Sequence, residues 1–367
     1  MQKRSLLVVL IGALVALGVV GGATAASPYQ TSVVYDNFQA SGGYTLANYG
    51  AKWSNIYGLL DMDSNTNPNY NGCGHGDTRS FADGTFSIAD APFTCGADFS
   101  VFDHLKYIAI SNQAFPVPAN GSLTFSSVIN AETPGTQPGR VVLGSYGPPF
   151  SYSSGAPYSA TLLEGQQAGA VMNMINFSTG QLFDWFISGG RGFTLIERLP
   201  SSVTGNTTDV SSPDWVGPDK MYTQIIDEFP ISPGPHKVAI TYTRGTGNGN
   251  STVEYFLDGR RMSKVKNVGV PLDRQNGVKW TGIYPSFGPG EDLKSKLNSF
   301  AIGHGTFSLL DAFPYQWGWN FGPLGLACDP TFAPICAASV SIPLSERLFG
   351  QGVNAHFDDF TVDTVTR

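Results

Sequence analysis

The sequence predicts an all-β sandwich, a jelly roll of two antiparallel sheets. Three observations predict it. Short runs of alternating or β-branched apolar residues recur along the chain, each bounded by turn residues. Glycine and proline, 44 and 24 of the 367 residues, break the chain too often for long elements. Helical periodicity is missing except at "EDLKSKLNSF" (291–300), which reads as one short helix. Many strands without helices between them bury their apolar faces by packing sheet on sheet.

The elements follow in order. Residues 1–25 read as a signal peptide: Lys3 and Arg4, then an apolar run from Leu6 to Val20, then the small residues Ala23-Thr24-Ala25 at a cleavage site. The competing reading is an uncleaved anchor, because the apolar run is long enough to span a bilayer. Either way the chain is expected to be exported, and with cleavage it is secreted and extracellular. No linker, charge run or repeat divides residues 26–367, so one large sandwich domain is expected. Its strand-like runs are "TSVVYDNF", "RSFADGTFSIADAPF", "HLKYIAISN", "SLTFSSVIN", "QLFDWFISGGRGFTLIERL", "HKVAITYTRG", "VEYFLDGRRMSKV" and "HFDDFTVDTV". Hairpin corners fall at 82–84, at 188–192 and at Asp258-Gly259, a pair suited to the positive φ angles of a type I′ turn. Long loops are expected at 62–77, 132–158 and 313–338.

Charge and motif content exclude several classes. Charged residues are only 13% of the chain and the net charge is −7, so no basic surface serves nucleic acid or anionic lipid. No membrane contact is expected beyond the leader. No G-x-S-x-G elbow, no phosphate-binding glycine loop and no H-x-x-x-H pair is present. The even count Cys73, Cys95, Cys328 and Cys336 implies disulfides in an exported chain. Local pairing, Cys73 with Cys95 and Cys328 with Cys336, is favoured among three connectivities. "DMDSNTN" places Asp61 and Asp63 at alternate positions, like the first half of a calcium loop. Thr66 stands where the turn glycine belongs and Gly72 where the bidentate glutamate belongs, so a plain polar turn is the competing reading. A structural calcium here is the one cofactor the sequence suggests. Sequons stand at Asn120, Asn176, Asn206 and Asn250.

The succession "HKVAITYTRGTGNGNSTVEYFLDGRRM", with "VVYDNF" near the start and "FDDFTVD" at the finish, resembles the concanavalin A-like lectin and glucanase superfamily. Laminin-G-like modules and family 16 glycoside hydrolases belong there. "FDWFISGGRGFTLIERLP", "GTFSLLDAFP" and "RLFGQGVNAHFDDFTV" look like an uncharacterised secreted family of the same fold. The resemblance implies terminal strands lying side by side and a ligand surface on a concave sheet. Family 16 hydrolases carry E-x-D-x-E on one strand, which puts all three carboxylates on one face. This chain has no such strand, so family 16 chemistry is not implied.

Carboxylates from separate strands can still converge. Asp184 and Glu197 lie in otherwise apolar runs, and Glu197 shares parity with Phe193, Leu195 and Leu199. A carboxylate on an apolar face must be paired or have a shifted pKa. One reading is an ion pair of Glu197 with Arg191 or Arg347; the other is a cleft acid. Tyr315, Trp317 and Trp319, and separately Trp215, offer flat rings for stacking on sugars or for capping the sandwich. The expectation is a lectin-like secreted protein that binds a carbohydrate or cell-wall polysaccharide. The rivals are a hydrolase or lyase using Asp184 and Glu197, and a structural extracellular protein.

Overall fold

The computed structural model describes residues 29–55, 77–90, 92–93, 105–140, 142–146, 159–162, 168–217, 219–278, 286, 288–308, 340–341 and 349–367. Strands are numbered in chain order. The front sheet runs Arg260–Lys266 (β16), Thr252–Leu257 (β15), His236–Thr243 (β14), Gly121–Glu132 (β7), Asn354–Thr366 (β19), Thr85–Asp90 (β4) and Asp77–Ala82 (β3), with Tyr29–Asp36 (β1) also on β19. The back sheet runs Tyr222–Pro230 (β13), Arg191–Arg198 (β12), Gln181–Ser188 (β11), Ala168–Asn176 (β10), Ser299–Ser308 (β17), Leu105–Ser111 (β5) and Trp53–Asn55 (β2), with Phe115–Pro116 (β6) on β17. Val340–Ser341 (β18), Val142–Tyr146 (β8) and Ser159–Leu162 (β9) form a small third sheet. β1 and β19 pair antiparallel from Tyr29–Thr366 to Asp36–Phe360. The side-by-side terminal strands of a concanavalin A-like sandwich are therefore present.

Alternation explains the layers. Met172, Met174, Phe183, Trp185, Ile196, Phe300 and Ile302 point from the back sheet into the main core. They meet Leu123, Phe125, Ile129, Val238, Ile240, Tyr242, Val253, Tyr255, Phe357 and Val362 of the front sheet. Polar atoms that this packing traps are tied between sheets. The Trp185 indole N–H donates to the Ala239 carbonyl at 3.2 Å, and Thr194 and Ser263 hydroxyls meet at 2.8 Å. The Tyr255 hydroxyl donates to the Leu195 carbonyl at 2.5 Å, where a bulge in the β12–β13 pairing falls. At the other end, buried Asp36 accepts from Trp53 Nε1 (2.7 Å), Tyr44 Oη (2.5 Å), Lys52 Nζ (2.9 Å) and the Phe38 amide (3.1 Å).

The local turn chemistry behaves as expected. Asp83 and Gly84 have φ of 51° and 78°, and Asp258 and Gly259 have 49° and 79°. Asp258 does more than turn the chain. Its Oδ1 accepts from the Lys237 amide at 2.9 Å and its Oδ2 meets His236 Nδ1 at 2.7 Å. His236 Nε2 lies 2.8 Å from the Ser232 carbonyl, which can only accept. Both ring nitrogens thus donate, which is the imidazolium form. The bonds to Asp258 and Ser232 raise the His236 pKa against the pull of burial, and those to His236 and Lys237 lower that of Asp258. The His236 contribution is complete below its unfolded pKa and is lost as pH rises through the raised value. The Asp258 contribution is lost as pH falls through its lowered value. Asp258→Asn keeps a residue that tolerates positive φ, so it is expected to lose about 1 kcal/mol near pH 5 and less near pH 8. Urea unfolding at both pH values checks this.

Two expectations need correction. "EDLKSKLNSF" is not helical: it forms turns that run into β17 at Ser299. Leu293 and Leu297 are fully buried, so the apolar spacing serves the core without a helix. The described α-helices are instead Leu46–Lys52 (α1), capped by Thr45 and Asn48, and the single turn Ser201–Thr204 (α2). The 132–158 stretch is not all loop, since it contains β8. Two sequon asparagines have their side chains engaged within the fold. The Asn176 amide is buried and donates to the Ser299 carbonyl at 2.7 Å, and Asn206 Nδ2 donates to the Ser178 and Asp214 carbonyls.

Candidate acid pair on the outer face of the back sheet

The back sheet is buried on both faces along β10, β11 and β12. Its outer face carries a second apolar cluster of Ile110, Ile175, Leu182, Leu199, Val203 and Ala301. Asp184 and Glu197 both lie on this face. The hairpin register fixes them there: Asp184 sits opposite Leu195, and Leu182 sits opposite Glu197. Opposed residues of an antiparallel pair share a face, so the two carboxyls are diagonal neighbours, about 7–8 Å apart at Cα. Asn173 of β10 stands opposite Asp184 and donates from Nδ2 to Oδ1 at 2.6 Å. Thr223 of β13 stands opposite Glu197. The result is a polar band, Asn173–Asp184–Glu197–Thr223, across four strands of an apolar face. Asn173 Oδ1 and Thr223 Oγ1 are buried without a hydrogen-bond partner. Gly303 makes room at one end, because a Cβ there would come within 3.2 Å of Asn173 Oδ1 and 2.4 Å of Ile110 Cδ1.

Burial sets the electrostatics. Each acid is only 5% exposed. Desolvation pushes Asp184 up to about 7, while the bond from Asn173 pulls the other way. Desolvation and then the nearby Asp184 charge hold Glu197 well above the usual carboxylate range. Among the described residues, no hydrogen-bond donor reaches the Glu197 carboxyl. Burial thus holds both acids toward their protonated forms, and each raises the other by charge repulsion when it ionises.

The expected arginine partner is elsewhere. Arg191 pairs with Glu228 at 2.7 Å, and the neighbouring Arg198 pairs with Glu291 at 2.6 Å. Arg347 lies outside the described residues, as do Asp61, Asp63, Tyr315, Trp317, Trp319 and all four cysteines, Cys73, Cys95, Cys328 and Cys336. Trp215 is half-buried in the loop between α2 and β13, where its carbonyl accepts from Lys220 Nζ at 2.8 Å. It does not belong to the polar band. Among the described residues no group of His, Cys, Asp and Glu could hold a metal ion. Ser232, His236 and Asp258 stand in the order of a hydrolase triad, with Ser232 Oγ 3.2 Å from His236 Nε2. The second proton on His236 goes to the Ser232 carbonyl, so this imidazole cannot serve as the base that a nucleophilic serine needs.

Residues 76–366 match the family described as a family of unknown function, DUF6081. The chain belongs to that family. No curated protein matches the sequence. Among solved structures, this DUF6081 chain is similar to an endo-1,3-beta-glucanase from Streptomyces sioyaensis, at 10% identity and a TM-score of 0.39, over 94% of this chain and 99% of that one. It is similar to the alginate lyase Aly36B at 9% identity and 0.30, over 92% and 96%. It is also similar to the carbohydrate recognition domain of Emp46p in its metal-free form, at 8% identity and 0.30, over 91% and 95%. At these values the likeness of the DUF6081 chain to each of them is one of fold. The polar band was partly readable from its own residues. Counting back from the Gly189-Gly190 corner puts Asp184 and Glu197 on one face. Counting back from the "STG" turn at 178–180 would have added Asn173, which sequence reasoning missed.

Proposed function

We propose that this chain is an exported carbohydrate-active protein that works on a glycan with Glu197 as proton donor and Asp184 as its partner carboxylate. The observation that carries the reading is the placement of two mutually interacting carboxyls on one sheet face, with their pKa values pushed up by burial. Glycoside cleavage needs such a pair: one carboxyl protonates the leaving oxygen, and the other attacks the sugar or activates water. The pair replaces the single-strand carboxylates absent from this sequence with two acids from one hairpin.

The 5% exposure of both acids favours a second reading, a closed structural sandwich in which they share a proton and touch no ligand. One experiment separates the two. The protein is incubated with a panel of neutral and acidic polysaccharides. New reducing ends are counted, and unsaturated products are sought by ultraviolet absorbance. The wild type is expected to release sugar from at least one polymer, and Glu197→Gln to lower that rate by roughly 10²–10⁴-fold. A silent panel, or a Glu197→Gln variant as active as the wild type, would leave the closed-sandwich reading standing.

A further inference from the structure

A shallow pocket of about 540 Å³ opens at the other edge of the outer face, lined by Ser54, Ile110, Ser111, Asn112 and Phe177. Its place relative to the acid pair is fixed by register. Ser54 stands opposite Ile110, Ile110 opposite Gly303, Gly303 opposite Asn173, and Asn173 opposite Asp184. Residues paired in one cross-strand row share a face, so the pocket and the carboxyls look the same way. From Ile110 to Asp184 is three strand spacings, about 14 Å. Several linked rings can bridge that gap, but one sugar cannot.

The lining chemistry suits a neutral sugar. Phe177 is half-buried against the outer apolar cluster and offers a ring beside polar groups. Ser54 and Asn112 are exposed, and the Ser54 hydroxyl donates to Asn112 Oδ1, which leaves lone pairs on both oxygens for sugar hydroxyls. Asn112 is held in place: its amide nitrogen donates to the Lys52 carbonyl at 2.7 Å and its side chain to the Gly50 carbonyl at 3.0 Å. The Phe177 turn is fixed as well, because Asn176 Oδ1 accepts from Ser178 Oγ, Thr179 N and Thr179 Oγ1. No charged side chain is among the described lining residues. A small set of preset polar groups beside an apolar ring is how orienting sugar contacts are built without paying ordering entropy on binding.

We propose that this pocket is a remote subsite that grips one end of a neutral glycan chain whose other end lies over Asp184 and Glu197. The substrate is then a polymer or long oligosaccharide rather than a short glycoside. This inference rests on the reading of the outer face as the glycan-handling surface. Its test uses binding rather than turnover. The full-length Glu197→Gln protein is titrated by calorimetry with cello-, laminari- and manno-oligosaccharides from disaccharide to hexasaccharide, and with an alginate hexasaccharide as the charged control. One neutral ladder is expected to bind more tightly with length, and the alginate control to bind at least tenfold more weakly. Phe177→Ala is expected to weaken the hexasaccharide about tenfold and leave the disaccharide unchanged. Asn112→Ala, on the exposed rim, is expected to weaken the same long ligand by a smaller factor, and guards against misfolding of Phe177→Ala. Hexasaccharide affinity equal in all three proteins, or no ladder bound at all, would overturn the subsite. Length-dependent binding without turnover in the wild type keeps the subsite and removes the catalytic reading. Turnover unaffected by either pocket variant does the reverse.

Discussion

Asp36→Ala is expected to lower the unfolding free energy by about 3–5 kcal/mol, the cost of removing one partner from a buried charged network. Asp36 is fully buried and its two oxygens accept from an indole, a phenol, an ammonium group and a backbone amide. Alanine leaves the Trp53 N–H and the Tyr44 hydroxyl facing apolar surroundings, where an unmet donor costs about 1–3 kcal/mol each. It also frees the junction between β1 and α1, because Lys52 ends that helix. Lys52→Met is the control. The lysine side chain is 38% exposed, so its share is screened and the loss should stay near or below 1 kcal/mol. Urea unfolding at neutral pH compares the variants. A Asp36→Ala loss no larger than that of Lys52→Met would show that the carboxylate does not hold the corner.

Acid should unfold the protein through His304. This imidazole is fully buried among Phe38, Trp53, Phe86, Phe357 and Phe360, with Trp53 edge-on at 4.4 Å. Its Nε2 meets the Tyr49 hydroxyl at 2.7 Å, Tyr49 meets Tyr107, and Nδ1 has no partner. Burial pushes its pKa down to about 3. The folded value lies below the unfolded 6.5, so the unfolded chain binds the proton first. The contribution is therefore complete above pH 6.5 and is lost as pH falls toward 3, by up to about 1.4 kcal/mol per pH unit and about 4–5 kcal/mol in all. Asp184 acts in the opposite sense. Its folded pKa of about 7 lies above the unfolded one, so the folded state takes up that proton first and gains stability as pH falls from about 7 toward 4. Glu197, also held above its unfolded value, adds to Asp184 in the same sense. Between about pH 4.5 and 6.5 the two acids together therefore outweigh His304, so urea midpoints should rise modestly with acid in the wild type, rise more steeply in His304→Gln, and rise less or stay flat in Asp184→Asn. Parallel curves for all three proteins would refute the assignment of either group.

Much of this architecture is legible in the sequence, and the reasons are local. Asp83-Gly84 and Asp258-Gly259 announced their corners because few other pairs tolerate two positive φ angles in succession. The alternating runs gave the strands because a two-residue period has one physical meaning. What stayed hidden depends on contacts far apart in sequence. Leu293 and Leu297 carry helical spacing, yet the backbone around them is taken by Gly269 and Val268 in a neighbouring loop. α1 is too short for periodicity to show, and only its Thr45 and Asn48 cap could have marked it. Arg191 was one of two arginines that could have paired with Glu197, and composition cannot say which strand lies beside which. Arg191 faces Glu228 across the β12–β13 pair, and among the described residues the charge that acts on Glu197 is another acid, Asp184. Asp258 shows the converse case, a turn residue whose carboxylate also holds a histidine that only the fold brings near.

The position of β19 bears on how the chain reaches this state. Residues 354–366 lie inside the front sheet, between β7 on one side and β1 and β4 on the other. β1 comes from the opposite end of the described chain and cannot find its partner until those residues have left the ribosome. The front sheet thus stays open until residues 354–366 have been made, and its closure joins segments of very high sequence separation, a slow class of folding step.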